Sequence, residues 1–228
     1  MPTIAFANPK GGAGKTTAAL LLATQLADRD TPVTIIDADP ERWISQWGAL
    51  PGKPDNIHIR SEVTEETIID AIDQAAAETP FVIVDLEGTA NTLVGYAVSL
   101  ADLVIIPTQG SSMDAKGGAK TVGLVRRQER VARRKIPFAI LLTRASAAVT
   151  SRAMRNVQQQ LAQAEVDVFQ TQIVERAAYR DIFDFGGTLA SLKGAQVSNL
   201  DKAIGNAREF AGEVLARLRK ADAPTKVA

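Results

Sequence analysis

The chain has no cysteine among its 228 residues and a single histidine, His58. Disulfides, thiolate-held metal centres and cysteine-ligated iron–sulfur clusters are excluded, and the missing thiols fit a reducing cytoplasm. His58 stands without a partner motif and receives no role. Neither sign of charge is in excess, since 26 Lys and Arg face 26 Asp and Glu. Any hold on nucleic acid or on a membrane surface must therefore come from a local patch. No apolar run approaches the ~20 residues that a membrane span needs. The chain enters an apolar run at once, with no basic segment, long apolar core or cleavage site, so neither a leader nor an extra domain is expected before the first strand.

What is present is apolar material for a normal core, 46% of the residues, as one sizeable α/β domain requires. That domain is expected to span residues 1–220, followed by a frayed tail over 221–228. Nearly continuous β-branched runs stand at Pro32–Ile36, Phe81–Val84, Leu103–Ile106 and Phe138–Leu142, and a shorter one at Thr3–Ala7. Continuous rather than alternating runs predict strands covered on both faces. Helical patterns fall between and after them, over Thr16–Asp28, Glu65–Glu78, Asn91–Leu100, Asp114–Arg133, Ser151–Ala164 and Leu200–Lys220. Alternation of this kind predicts a doubly wound, mostly parallel sheet with helices on both faces. Ligands of such sheets bind at the carboxyl ends of the strands. The last helix carries Ile204, Ala207, Phe210, Ala211, Val214, Leu215 and Leu218 at helical spacing, a core face rather than a membrane foot.

Between the first strand and the first helix lies Pro9-Lys10-Gly11-Gly12-Ala13-Gly14-Lys15-Thr16-Thr17. The phosphate-loop pattern G-x-x-x-x-G-K-S/T has Pro9 in place of its first Gly. The physics survives that change: small residues let successive N–H groups turn inward onto phosphate oxygens, and the helix start adds partial positive charge. Gly11, Gly12, Ala13, Gly14, Lys15, Thr16 and Thr17 are the candidate cradle. Lys15 is placed to reach the β- and γ-phosphates, and the Thr16 hydroxyl to ligate Mg²⁺. Lys10 is a second lysine that such a cradle does not need from within one subunit.

With Lys10 included, the loop resembles the deviant Walker A ATPases, the ParA/MinD group, and the resemblance extends over nearly the whole chain. It implies that Lys10 crosses a dimer interface to the partner's nucleotide. It implies that Asp37-Ala38-Asp39-Pro40 is the first switch, with Asp37 facing the Mg²⁺ shell and Asp39 orienting the attacking water. Phe81–Val84 followed by Asp85-Leu86-Glu87-Gly88 is an apolar strand closed by a carboxylate, with Asp85 holding Mg²⁺ through water. Two departures stand out: Glu41 where the family has Gln, and Glu87-Gly88 where it commonly has prolines. Thr143 and Arg144, then Val174 and Arg176, match the places where family members enclose the adenine. Trp43 and Trp47, one helical turn apart, are expected to pack on the domain surface. Ser112 or Asp114 is the expected N-cap of the helix after Ile105–Thr108.

The resemblance is greatest to small, stand-alone ParA-type partition proteins. It implies Mg²⁺-dependent ATP hydrolysis, an ATP-bound homodimer, non-specific DNA binding, a cargo-bound partner that stimulates hydrolysis, and a cytoplasmic protein that associates with the nucleoid. The densest basic run, Arg126–Lys135, offers Arg126, Arg130, Arg133 and Arg134 for phosphate contacts that read no sequence. Arg152, Arg155 and Arg208 are further candidates, because family members use scattered basic residues on C-terminal helices. Two other readings stay open: a metabolic enzyme on the same fold, and a DNA-binding scaffold that does not hydrolyse ATP.

Overall fold

The apolar runs pair as parallel strands. In the computed structural model, which describes residues 1–89, 91–146, 152–192 and 197–222, β1 (Thr3–Phe6), β2 (Val33–Ala38), β3 (Ile57–Arg60), β4 (Phe81–Leu86), β5 (Leu103–Thr108) and β6 (Phe138–Leu142) form one sheet. Its order is β3-β2-β4-β1-β5-β6, with every pairing parallel. β1 lies between β4 and β5, so the loop that leaves it opens at the middle of the carboxyl edge.

Alternate residues along each strand feed two cores. On one face Ile4, Phe6, Ile35, Ile83, Ile105 and Leu141 pack under α1 (Lys15–Ala27), α2 (Trp43–Gly48), α7 (Ala178–Phe185) and α8 (Leu200–Asp222). On the other, Ala5, Val84, Val104, Ile106 and Ile140 pack under α3 (Ile68–Glu78), α4 (Thr92–Leu100), α5 (Ser112–Ala132) and α6 (Arg152–Gln163). α1 is buried almost all round, Ala18–Ala27, because α8 lies against its outer side. That explains its nearly unbroken apolar sequence. Each of Leu20, Leu21 and Leu22, fully buried, contributes about 1.5–3 kcal/mol. The expected core face of α8 is the one that packs here.

Three elements escape the sequence patterns. β3 is a four-residue edge strand, Ile-His-Ile-Arg, paired only to β2. α2 has six residues and α7 eight, too short for helical periodicity to show. α8 runs on to Asp222, into the tail expected from Ala221; the rest of that tail, and Ser151 at the expected start of α6, lie outside the described residues. Trp47 is a correction. It sits in the core at 1% exposed rather than on the surface. Its indole N–H donates to the Gly187 carbonyl at 3.0 Å, which satisfies the one polar atom that burial would strand.

Candidate nucleotide site

The loop Pro9–Gly14 turns on two glycines in the left-handed region, Gly12 at φ 73° and Gly14 at φ 94°. Two side chains hold its outer carbonyls. Thr143 Oγ1 donates to Ala13 O at 2.7 Å, and Gln109 Nε2 donates to Gly12 O at 2.5 Å. In a planar trans peptide the N–H points opposite to its C=O. The Ala13 and Gly14 amides, which share these peptides, therefore point the opposite way from Gln109 and Thr143. Asn8, 2% exposed, fixes the loop's entry: its Nδ2 donates to Pro107 O at 2.6 Å and its Oδ1 accepts from the Lys10 amide at 2.9 Å. Sequence reasoning passed over Asn8 and Gln109, because a polar residue at a strand end reads as ordinary loop.

The cavity over the loop has a volume of about 570 Å³, the size of a small-molecule site. Gly11 through Thr17 line it, with Asp39 and Gly88 from the loops after β2 and β4 and with Thr143, Arg144, Val174 and Arg176. The elements thus bring together the expected phosphate, switch and base-side residues. Trp43, Tyr179, Arg180 and Phe183 complete the wall without having been anticipated; α2 and α7 supply them. Asn206 on α8 shapes this side, accepting from the Val174 amide at 3.0 Å and donating to Gln172 O at 2.8 Å. Gly88 has its own reason to lack a side chain: a Cβ there would lie 3.3 Å from the Gly11 amide nitrogen and 3.4 Å from Pro9 O.

Charge is arranged unusually at the strand ends. Asp37 and Asp85 are register partners on β2 and β4, side by side, and are 1% and 0% exposed. Ser45 donates to Asp37 Oδ2 through its amide at 2.8 Å and its hydroxyl at 2.6 Å. Asp37 Oδ1 and both oxygens of Asp85 are buried without a hydrogen-bond partner. Burial pushes the Asp85 carboxyl up to about 7; the Thr16 hydroxyl, close to Asp85 but outside hydrogen-bond geometry, and Lys15 draw it back, while Asp37 and Asp39 add to the rise. Burial likewise raises Asp37, against the pull of Ser45. Lys15, 5% exposed, is lowered by burial, with Asp85, Asp39 and Glu87 opposing. Asp39 caps no helix: its Oδ1 accepts from the Glu41 amide at 3.0 Å, and Arg42 precedes α2.

Buried carboxylates without partners are costly unless something cationic completes them. Among the described residues no three His, Asp or Glu side chains converge into a self-sufficient metal site. Mg²⁺ does not require one, since it is commonly held by one or two carboxylates together with substrate phosphates and water. The donor set therefore fits such an ion.

Lys10 is engaged within its own subunit. Its Nζ lies 2.5 Å from Asp114 Oδ1. Burial alone would raise the Asp114 carboxyl, but Lys10 and Ser111 outweigh it and hold it below the usual range. The N-cap of α5 is Ser111, whose hydroxyl accepts from the Asp114 amide, not Ser112 or Asp114. Asp114 is thereby free to take the lysine.

The basic candidates do not form one surface. α5 ends at Ala132, and Arg133 follows in the left-handed region at φ 52°. Arg134 turns away to donate to Ser99 O at 2.6 Å and Ala101 O at 2.9 Å, closing the end of α4. Arg126 and Arg130 are exposed on α5, and Arg152 and Arg155 on α6. Arg208 is on α8, which packs on the opposite face of the sheet.

An all-parallel sheet carrying this loop and these strand-end carboxylates defines a P-loop nucleotide-binding protein of the ParA/MinD kind. The model of the VirC1 protein family matches residues 1–217. Protein ParA of Rhizobium radiobacter is 40% identical over 221 residues, covering 97% of this chain and 99% of that protein. The maintenance of carboxysome distribution protein A of Halothiobacillus neapolitanus is 27% identical over 183 residues, 78% of this chain and 82% of that protein. Apo McdA of Cyanothece superposes with a TM-score of 0.76 at 17% identity over 92% of this chain and 99% of that chain. An Asp-to-Ala variant of Cyanothece McdA, solved as its ATP complex, gives 0.73 at 17% identity over 93% and 96%. The chain belongs to the VirC1 family of ParA-like partition and positioning proteins. No helix among the described residues is long and apolar enough to cross a membrane.

Proposed function

We propose that the protein is a ParA-type ATPase that positions a cargo through an ATP-dependent cycle of dimerisation and DNA binding. The observation that carries this reading is the set of unpaired oxygens on the neighbouring Asp37 and Asp85 near the ends of β2 and β4, with Lys15 of the loop-walled cavity in electrostatic reach of Asp85. The ATP complex of a McdA variant on the same fold supports the choice of nucleotide. The backbone amides of Gly11–Thr17 and the Lys15 ammonium bind the phosphates. Thr16, Asp37 and Asp85 would hold Mg²⁺, which when bound neutralises charge on the β- and γ-phosphates. Asp39 orients the attacking water. Trp43, Tyr179 and Phe183 exclude solvent on the base side. Lys10 leaves Asp114 to reach the nucleotide of a second copy, so that ATP selects the dimer and hydrolysis releases it. The dimer binds DNA without reading sequence, and a cargo-bound partner stimulates turnover. This places the protein in the cytoplasm, on the nucleoid while ATP-bound.

The test is Asp39→Ala, followed by light scattering and phosphate release. The variant is expected to bind ATP with Mg²⁺, dimerise, and hydrolyse at least 100-fold more slowly than the parent. Turnover at the parent's rate would remove Asp39 from the chemistry, and failure of the parent to hydrolyse ATP at all would overturn the ATPase reading.

A further inference from the structure

A formal charge of zero conceals a segregation that the fold brings out. On one face of the sheet α3, α4, α5 and α6 lie side by side. α3 carries Asp70, Asp73 and Glu78 and no cation. α4 carries no charged side chain. α5 carries Lys116, Lys120, Arg126, Arg127 and Arg130, and α6 carries Arg152 and Arg155 with no carboxylate. The two carboxylates of α5 do not offset its row. Asp114 is buried against Lys10. Glu129 is partly buried, accepts from the Ile136 amide at 3.1 Å and faces Lys135 at 3.8 Å.

All five α5 cations are exposed, and none has a hydrogen bond or ion pair to a described residue. At about 100° and 1.5 Å per residue they fall within an arc of about 120° and a length of about 21 Å. Like charges at helical i, i+4 spacing, as in Lys116 with Lys120 and Arg126 with Arg130, destabilise a helix. No hydrogen bond or ion pair among the described residues ties this row to the fold, and it has the character of a polyanion site.

We propose that the exposed face of α5 is the surface that docks a nucleic-acid duplex through its phosphates. This rests on the DNA-binding part of the proposed function and gives it an address: Lys116, Lys120 and Arg127 join Arg126 and Arg130. Arg134, committed to α4, and Arg208, on the other layer, have no part in it. The row is about as long as six base pairs of duplex at ~3.4 Å each. Ala119 and Gly123 stand between the cations, and among the described side chains of α5 the one large exposed apolar residue is Val131, at its end. A membrane-binding helix needs a face of large apolar residues instead. Lys120 and Arg127 also line a cavity of about 320 Å³ together with Glu87 and Thr89, in the loop that follows Asp85. A duplex on this face therefore abuts the loop that contributes Gly88 to the nucleotide cavity.

The experiment is the salt dependence of duplex binding, with ATP and Mg²⁺ present, for the parent and a triple variant Lys116→Gln, Lys120→Gln, Arg127→Gln. Each phosphate contact contributes about −0.9 to the slope of log K against log salt. The triple variant should lose about 2.7 of that slope and at least tenfold in affinity at moderate salt, with ATP affinity by calorimetry and the circular dichroism spectrum unchanged. A paired variant, Arg134→Gln with Arg208→Gln, should keep the parental slope. A triple variant that keeps the parental slope while the parent binds duplex would overturn this surface alone. Binding by the parent to vesicles of acidic phospholipid but not to duplex would overturn the nucleic-acid assignment. A parent that binds no DNA in any nucleotide state would overturn the DNA-binding part of the proposed function itself.

Discussion

Two clusters of charged side chains in this molecule, one half-buried at α8 and one fully buried at the carboxyl edge of the sheet, are built on opposite plans. Under α8, Arg217 donates to Asp167 at 2.5 Å, to Val168 O at 2.8 Å and to Glu213 at 3.0 and 3.1 Å. Its guanidinium lies 4.3 Å over the Phe169 ring. Glu213 also accepts from the Gln170 and Thr171 amides at 2.9 and 2.8 Å. At the carboxyl edge of the sheet, Asp37 and Asp85 sit shoulder to shoulder with three oxygens unpaired. The first cluster is complete within the chain and ties α8 to the segment after β6. The second is incomplete, and what completes it must come from outside. The contrast separates charge kept for stability from charge kept for a ligand.

The largest effect expected from breaking that contrast is on the ligand side. Lys15→Ala removes the one cation within the phosphate cradle and should weaken ATP binding by at least 100-fold in calorimetry. Thermal stability without nucleotide should be unchanged or raised, since Lys15 is nearly buried. Near-parental affinity would remove the loop from phosphate binding.

The complementary change, Arg217→Ala, should do the reverse. It leaves the half-buried Glu213 without its guanidinium partner and uncovers Phe169, at a cost of about 2 kcal/mol, or about 4–8 °C in Tm for a chain of this size. ATP affinity should stay within twofold. The pH dependence has a definite sign. Burial opposes ionisation of Glu213, but the Thr171 and Gln170 amides and Arg217 outweigh it and hold its pKa below the ordinary 4.5. A carboxylate lowered on folding contributes stability above its unfolded pKa and loses it as pH falls through the folded one. The parent's advantage over Glu213→Gln should therefore shrink on acidification below pH 4.5, measured by urea unfolding.

The smallest expected effect concerns the ion pair of Lys10 with Asp114. Asp114→Asn releases the lysine and should tighten ATP-dependent dimerisation by about 3–10-fold, as suits one partly exposed pair. Analytical ultracentrifugation against ATP concentration checks it. A weaker dimer would instead make Asp114 a residue that aligns Lys10.

How much of this was legible in the chain follows from how local each signal is. The phosphate loop, the five apolar strands and the core face of α8 are contiguous patterns. The strand-end positions of Asp37 and Asp85 follow from them, but their adjacency depends on β2 pairing with β4, a long-range fact. β3 hid as an alternating edge segment. α7 hid because eight residues show barely two turns, and with it went Tyr179, Arg180 and Phe183. The four-residue spacing of Trp43 and Trp47 suggested a shared environment. Burial of Trp47 depends on the Gly187 carbonyl, 140 residues away. The run Arg126–Lys135 looked continuous because sequence does not record that α5 stops before Arg133, and the exposed row begins ten residues earlier, at Lys116.

The central claim, that the strand-end carboxylates are left unpaired for a metal–nucleotide ligand, is tested most directly by the thermal unfolding of Asp85→Asn, with and without ATP and Mg²⁺. Burial in the folded chain pushes the Asp85 carboxyl up to about 7, from an ordinary value of 3.8. The folded parent thus loses stability as pH rises from about 4 to about 7, and the loss levels off above. Asparagine has no such slope. Without ligand, the variant should be more stable than the parent by about 1–3 kcal/mol at pH 7.5, with the difference shrinking toward pH 4. Adding Mg²⁺ to the ATP-bound protein should raise the parent's Tm and leave the variant's nearly unmoved. A ligand-free variant less stable than the parent, with the same gain from Mg²⁺, would contradict the account.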